Sequence, residues 1–383
     1  MNAIDIPEPK WNSNLANIIL DLEKLRTRRL SGEIPPYIFF QLKKIFQIME
    51  TLGSARIEGN NTTLSEYVEK IIEKNTAVDE KGQELQNIDQ AIKFIEEHTD
   101  ETTKIDRAYI SELHKMVTKD LTPPPQGEGS NHPGAFRPID VDIQQANHTP
   151  PSHIFLPQYF DVFLNFINEA HLAQNQLLMV AIAHHRFAYI HPFDNGNGRL
   201  GRLLNYAFLI KLGFNVKAGR IVNPSSIFYS DRDKYYEMLG KADTLDNQGA
   251  LDWSEYFLSG LRDQIEKIDS LTQSEFTRDK ILFPTIKYAF ERMHITKQEF
   301  EILSYLIKTP EMAIKSSELE KIGIKKTQQK TYAMKKLKEK RMISPTKENG
   351  RIYTIIFANN YLLRSIIKTL KDNGFVAEFL NQN

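Results

Sequence analysis

At 383 residues the chain is long for a single hydrophobic core, and two or three domains are expected. An apolar fraction of 41% with 49 basic and 49 acidic residues describes a folded globular protein and excludes a global attraction to nucleic acid, so any such role needs a local patch. The lack of cysteine excludes disulfides, thiolate metal sites and a cysteine nucleophile. The opening MNAIDIPEPKWNSN does not have the layout of a signal peptide and no apolar run is long enough for a bilayer, so a cytoplasmic chain without membrane contact is expected.

Residues 1–100 read as a helical region. Leu42, Ile45, Phe46 and Met49 recur at helical spacing, and TLSEYVEKIIEK begins a further helix. Between them SARIEGNN stops the pattern, with Gly59 suited to a left-handed cap. A second block spans 101–270. Its one extended segment is GAFRPIDVDIQ, Gly134 to Gln144, where Ile139, Val141 and Ile143 alternate with aspartates as in a strand or hairpin arm. Proline-rich stretches on both sides make this an exposed flap. The helices LPQYFDVFLNFINEA and QLLMVAIAHHRFAYI follow, broken by Pro192 and Gly196. Another starts near Gly198 with Leu200, Leu203, Leu204, Ala207 and Phe208 in one stripe. Residues 271–289 are expected as a linker, and 361–383 as a C-terminal helix. Within 290–360 the order is helix, short helix, helix, and a hairpin around Asn349-Gly350, the order of a winged helix-turn-helix. The fold class is therefore mainly α: a helical core with a short β-hairpin flap, plus a C-terminal winged helix.

The chemistry concentrates in HPFDNGNGRLGR, His191 to Arg202. Gly196 to Gly201 spells G-x-G-x-x-G, but the preceding residues are helical and no acidic residue sits about twenty positions on, so a dinucleotide fold fails. The P-loop ending is missing too. What survives is a loop that enters a helix N-terminus, where freed backbone N–H groups and the helix dipole attract an anion. Arg199 and Arg202 flank it, and phosphate is the natural ligand. His191 is close enough to take a proton from a hydroxyl attacking phosphorus, with Phe193 anchoring the loop. A zinc site from His184, His185 and His191 fails on spacing, since His184 and His191 lie about two helical turns apart, roughly 10 Å.

His-Pro-Phe-x-x-Gly-Asn-Gly-Arg-x-x-Arg resembles the signature of the Fic family, and the likeness runs over about residues 10–265. His184, Phe187 and Ile190 sit where the family carries the helix leading into the loop, GAFRPIDVDI looks like its flap, and GSARIEGN looks like its inhibitory motif, Ser54 to Gly59. DRDKYYEML resembles the segment bordering the adenine pocket, which makes Tyr235 and Tyr236 candidates. The resemblance implies transfer of AMP from ATP to a target hydroxyl, with His191 as base. Gly196, Asn197 and Gly198 would cradle the phosphates, and Arg199 and Arg202 would neutralise them. It also implies magnesium, with manganese as the alternative ion, a target protein docked on residues 134–144, and a homodimer. Glu58 would pair with Arg202 and hold ATP in an unproductive pose; in a variant reading it activates water and removes AMP. One position departs from the pattern. Asn195 stands where the family carries a metal-ligating Asp or Glu, with Asp194 one residue early.

Near the C-terminus Lys325, Lys326, Lys330, Lys335, Lys336, Lys338, Lys340 and Arg341 crowd one helix. Lys326, Gln329 and Lys330 are expected to face a DNA groove, with Lys347 and Arg351 on the wing meeting phosphate. The alternative function is accordingly a nucleotide-sensing regulator that binds DNA.

Overall fold

The computed structural model describes residues 3–27, 34–73, 79–143, 148–217, 220–358 and 360–381. The chain divides into two compact units, one comprising Met1–Arg29, Glu50–Thr62 and Ala77–Glu266, the other Leu30–Met49, Thr63–Thr76 and Lys267–Asn383. The region expected as one block over residues 1–100 is thus shared between the units. Helix α2 (Pro36–Ile57) contributes its first part to one and its last two turns to the other.

The first unit is helical: α1 (Asn14–Thr27), the end of α2, α4 (Glu80–His98), α5 (Arg107–Thr118), α6 (Leu156–Asn168), α7 (Ala173–Ile190), α8 (Asn197–Lys211), the single turn α9 (Ser226–Tyr229), α10 (Arg232–Ala242) and α11 (Asn247–Asp269). Aspartate caps set three of these starts: Asp79, Asp106 and Asp231 accept from the backbone N–H groups of Gly82, Tyr109 and Lys234. Helix α7 is the centre of the core. Leu177 to Phe187 are all buried, and α6 and α8 pack on either side. α7 must end before Pro192, because the residue preceding a proline is pushed out of the right-handed helical region. His191 takes that place with φ 48°, a left-handed cap whose N–H donates to Phe187. Helix α8 then opens at Gly196, φ 75°, and carries Leu200, Leu203, Leu204, Ala207 and Phe208 into the core as its spacing requires.

The second unit holds the first part of α2, α3 (Leu64–Glu73), α12 (Ser274–Phe276), a π-helical turn over Thr277–Leu282, α13 (Phe283–Glu291), α14 (Lys297–Lys308), α15 (Thr327–Glu339) and α16 (Leu362–Asp372). Thr296 and Glu299 form a capping box at the start of α14. Strands β1 (Ala313–Lys315), β2 (Ile343–Pro345) and β3 (Ile352–Ile355) make an antiparallel sheet of order β1-β3-β2, with Ile314 opposite Tyr353 and Ser344 opposite Thr354. Asn349 turns between β2 and β3 at φ 55°.

Three expectations change. The stretch 271–289 is not a linker but helix, with Leu271, Ile281, Leu282 and Ile286 buried. The flap forms no strand over residues 134–143, and Gln144 lies outside the described residues. Its alternation has no neighbouring strand to pair with, and Arg137 holds it instead. That side chain donates to Ile139 O (2.8 Å), His191 O (2.9 Å) and Pro151 O, while its own N–H donates to Pro192 O (3.0 Å). Finally, Lys330 cannot face a groove: it is buried and paired with Glu320. No helix among the described residues is long and apolar enough to cross a membrane.

Candidate active site

The α7–α8 loop is closed by its own side chains. Asn197 accepts from the Phe193 N–H (3.0 Å) and donates back to the Phe193 carbonyl (2.9 Å), so this residue, expected to cradle phosphate, is spent on loop shape. Its backbone N–H still belongs to the first turn of α8, whose N–H groups have no partner within the helix. Phe193 is buried and stacks on His114 of α5 at 3.9 Å, as an anchor should. His114 was invisible in the sequence. Its Nδ1 accepts from the Gly134 N–H (2.8 Å), which leaves Nε2 to donate to Asn195 O (3.0 Å). Burial drives its pKa down to about 4, so a neutral ring bridges the flap base and the loop.

His191 is part-buried at the lip of this loop. Burial, followed by the charge of Arg137, lowers its pKa to about 4; Glu58 and a bond to the Ala188 carbonyl act in the opposite sense. Its imidazole is therefore neutral near pH 7 and able to accept a proton.

Both arginines of α8 are sealed from solvent, Arg199 at 0% and Arg202 at 1% exposure. The end of α2 engages Arg202 three times. Nε donates to Ser54 Oγ (2.9 Å), and Nη2 donates to Ser54 O (2.9 Å) and to Glu58 Oε1 (2.7 Å). A glycine makes this approach possible: a Cβ on Gly198 would lie 2.0 Å from Glu58 Oε1. Burial opposes charge on Glu58, but Arg202, with Arg199 and His191 behind it, overcomes this and keeps the carboxyl below its ordinary range. Gly59, φ 111°, ends α2, and Asn60 Nδ2 donates to Glu84 of α4 (2.7 Å). Further up α2, buried Glu50 accepts from the Ser225 N–H (2.9 Å) and hydroxyl; burial raises its carboxyl to about 7, against the pull of Ser225 and Arg202.

Arg199 does not reach out as the sequence suggests. Its Nη1 donates to Glu84 (3.0 Å), while Nη2 donates to Glu128 O (2.7 Å) and more distantly to Glu128 Oε2 (3.3 Å). Burial raises the pKa of Glu84, partly offset by Arg199. Tyr235 is buried, bonded through its hydroxyl to His184 (3.0 Å) beside Trp253, whereas Tyr236 is partly exposed. A groove of 610 Å³ lined by Ile227, Lys234, Met238 and Tyr256 contains none of the loop residues.

Residues 104–209 match the Fic/DOC family. This segment is a Fic domain. The sequence is similar to the proteins named Protein adenylyltransferase Fic of Nematostella vectensis, 31% identical over 204 residues, and of Drosophila erecta, 31% identical over 202 residues. These matches cover 49% and 51% of this chain but only 42% and 37% of those relatives. The fold is shared with a Fic family protein from Desulfovibrio desulfuricans G20, at TM-score 0.53 and 17% identity over 91% of this chain and 98% of that one. A Fic domain containing signaling protein from Bacteroides thetaiotaomicron gives TM-score 0.52 and 16% identity over 68% and 97%.

In many phosphate sites magnesium takes one or two protein oxygens and completes its shell with phosphate and water. Two oxygen-bearing side chains, Asn195 and Glu128, lie together beside the loop. Asn195 Oδ1 accepts from the Gly196 N–H (2.7 Å), and Asn195 Nδ2 lies 3.3 Å from Glu128 Oε2. Asp194 points elsewhere: Ser130 Oγ, the Asn131 N–H (2.9 Å) and His132 Nδ1 (3.3 Å) converge on its carboxylate. Burial alone would raise Asp194; those bonds outweigh it and lower its pKa. No group of three or more metal-binding side chains exists among the described residues, but a nucleotide-bound ion does not need one.

Proposed function

We propose that this chain is a protein adenylyltransferase restrained by Glu58. The observation that carries the reading is the placement of His191 on a loop that runs directly into the N-terminus of α8, with Arg199 and Arg202 in the next two turns. A target hydroxyl gives its proton to His191 while its oxygen attacks the α-phosphorus of ATP. The bond to the β-phosphate oxygen breaks, pyrophosphate leaves, and AMP stays on the target. The first-turn N–H groups of α8 bind the phosphates with the help of the helix dipole, Arg202 joins them once Glu58 releases it, and buried Arg199 adds fixed positive charge behind the loop. Magnesium, or manganese in its place, would offset phosphate charge, with the Asn195 side-chain oxygen beside the loop as the donor there. With Glu58 on Arg202, the guanidinium is unavailable to the γ-phosphate.

Incubation of the full chain with α-labelled ATP and magnesium tests the reading. His191→Ala is expected to reduce labelling by about 10²–10⁴-fold, the usual worth of a general base. Equal labelling in wild type and variant would remove the reaction from consideration. Because His191 loses its proton above a pKa of about 4, no falling limb is expected between roughly pH 8 and 5.5.

For residues 290–360 we infer a winged helix-turn-helix, supported by the sheet order β1-β3-β2 and the helix preceding the β2–β3 hairpin. Exposed Lys325, Lys326 and Gln329 at the start of α15 are the residues suited to DNA, with Lys347 and Arg351 on the wing. A salt-dependent mobility shift of the full chain checks it, and Lys326→Glu should weaken any shift.

A further inference from the structure

The charges around the loop do not suit a bare nucleotide. Arg199 and Arg202 bring two positive charges, and Glu58, Glu84 and Glu128 bring three negative ones in direct contact with them. A triphosphate added to that balance needs a cation. Three of the four nearby carboxylates are already committed. Glu58 holds Arg202, Glu84 is buried between Arg199 and Asn60, and Asp194 is enclosed by Ser130, Asn131 and His132.

Glu128 differs from all three. Its Oε2 takes contacts of 3.3 Å from Asn195 and from Arg199, both long for bonds to a charged acceptor. Its Oε1 has no hydrogen bond among the described residues, and the side chain is 39% exposed. The short bond to Arg199 comes from the Glu128 backbone carbonyl at 2.7 Å, so the carboxylate can turn without releasing the guanidinium. Beside it stands Asn195, a neutral oxygen donor once its amide rotates.

We propose that Glu128, from the loop after α5, supplies the carboxylate for the divalent ion that accompanies the nucleotide, with the Asn195 carbonyl as its companion. The charge missing at position 195 is thereby provided from a second segment of the chain. This rests on the nucleotide-binding reading above.

The test uses the full chain carrying Glu58→Gly, with ATP binding measured by calorimetry in EDTA and then with magnesium, and bound manganese followed by electron paramagnetic resonance. Glu128→Gln should leave metal-free ATP binding within about twofold while weakening manganese binding in the ATP complex by about 10–100-fold. Adding Asn195→Asp to Glu128→Gln should restore the manganese signal. Unchanged manganese binding in Glu128→Gln overturns the proposal, as does an equal loss of metal-free ATP binding, which would mean that Glu128 only supports Arg199. Failure of the Glu58→Gly chain itself to bind ATP in either condition would instead strike the nucleotide-binding reading.

Discussion

Arg199 and Arg202 lie one turn apart on α8 and are equally hidden from water, yet the groups that hold them differ in kind. Arg199 is held by a carboxylate of α4 with 4% side-chain exposure and by the carbonyls of Val117 in α5 and Glu128 in the loop after it, the exposed Glu128 carboxylate adding only a 3.3 Å contact. Arg202 is held by the last turns of α2, and its carboxylate partner keeps 27% side-chain exposure. A partner that can turn to water can leave; one sealed on all sides cannot. The first arginine is thus built into the core, and the second is in a contact that can be exchanged.

Volume-conserving substitutions probe this contrast most strongly. Arg199→Met strands Glu84 in the interior and should cost about 3–5 kcal/mol in urea unfolding, the usual penalty for breaking a buried pair. Arg202→Met leaves Glu58 free to swing out and should cost under about 2 kcal/mol. Equal losses would erase the distinction between the two sites.

The next effect concerns a second hold on the end of α2. Glu50 lies two turns before Glu58, buried against Ser225, with a carboxyl raised from its ordinary 4.5 to about 7. Between those values the folded chain keeps a proton that the unfolded chain has released. Stability from this group is therefore present at low pH and lost as pH rises through the window. The size is on the order of 3 kcal/mol at 1.36 kcal/mol per unit. Glu50→Gln removes the dependence: its oxygen can accept from the Ser225 N–H, and the Ser225 hydroxyl can turn to accept from its amide. Unfolding curves at several pH values should show wild type falling relative to the variant as pH increases. Parallel curves would place the Glu50 titration outside this range.

Glu58→Gly comes third. Loss of one charge-assisted bond, about 1.5–3 kcal/mol, predicts a rise in labelling of about 10–100-fold. Loss of an AMP-removing Glu58 would also raise labelling, so incubating AMP-modified target with wild type separates the two readings by whether AMP is released, and a fall in labelling would remove the restraint from the account.

Sequence made the exchangeable side of this comparison legible and left the fixed side dark. Ser54, Glu58 and Arg202 belong to recognisable motifs, and the contact of Glu58 with Arg202 is where the motif suggested. Glu84, Glu128, His114 and Arg137 are single residues whose partners no motif names. Folding brings Glu84 and Arg199 together across 115 positions, a pairing that no local spacing encodes. Helical periodicity located α7, α8 and the later helices because burial of one stripe enforces it. The same kind of pattern misled at the flap, since alternation makes a strand only when a second strand supplies hydrogen bonds, and here Arg137 ties the segment to the carbonyls of His191 and Pro151 instead. Lys330 misled for a related reason: a charge pattern along one helix cannot show that Glu320 waits across from it.

Ser54→Ala sharpens the comparison with the smallest effect. It removes the 2.9 Å bond from Arg202 Nε to the hydroxyl and leaves both the Ser54 carbonyl and Glu58 in place. If the three contacts share the work of holding Arg202, the loss is about 1 kcal/mol and labelling should rise about fivefold, well short of Glu58→Gly. Labelling equal to that of Glu58→Gly would mean that the hydroxyl positions the whole turn and that Glu58 cannot hold Arg202 without it. No rise at all would assign the restraint to the carboxylate alone, with Ser54 satisfying a buried Nε–H that the core would otherwise leave unpaired.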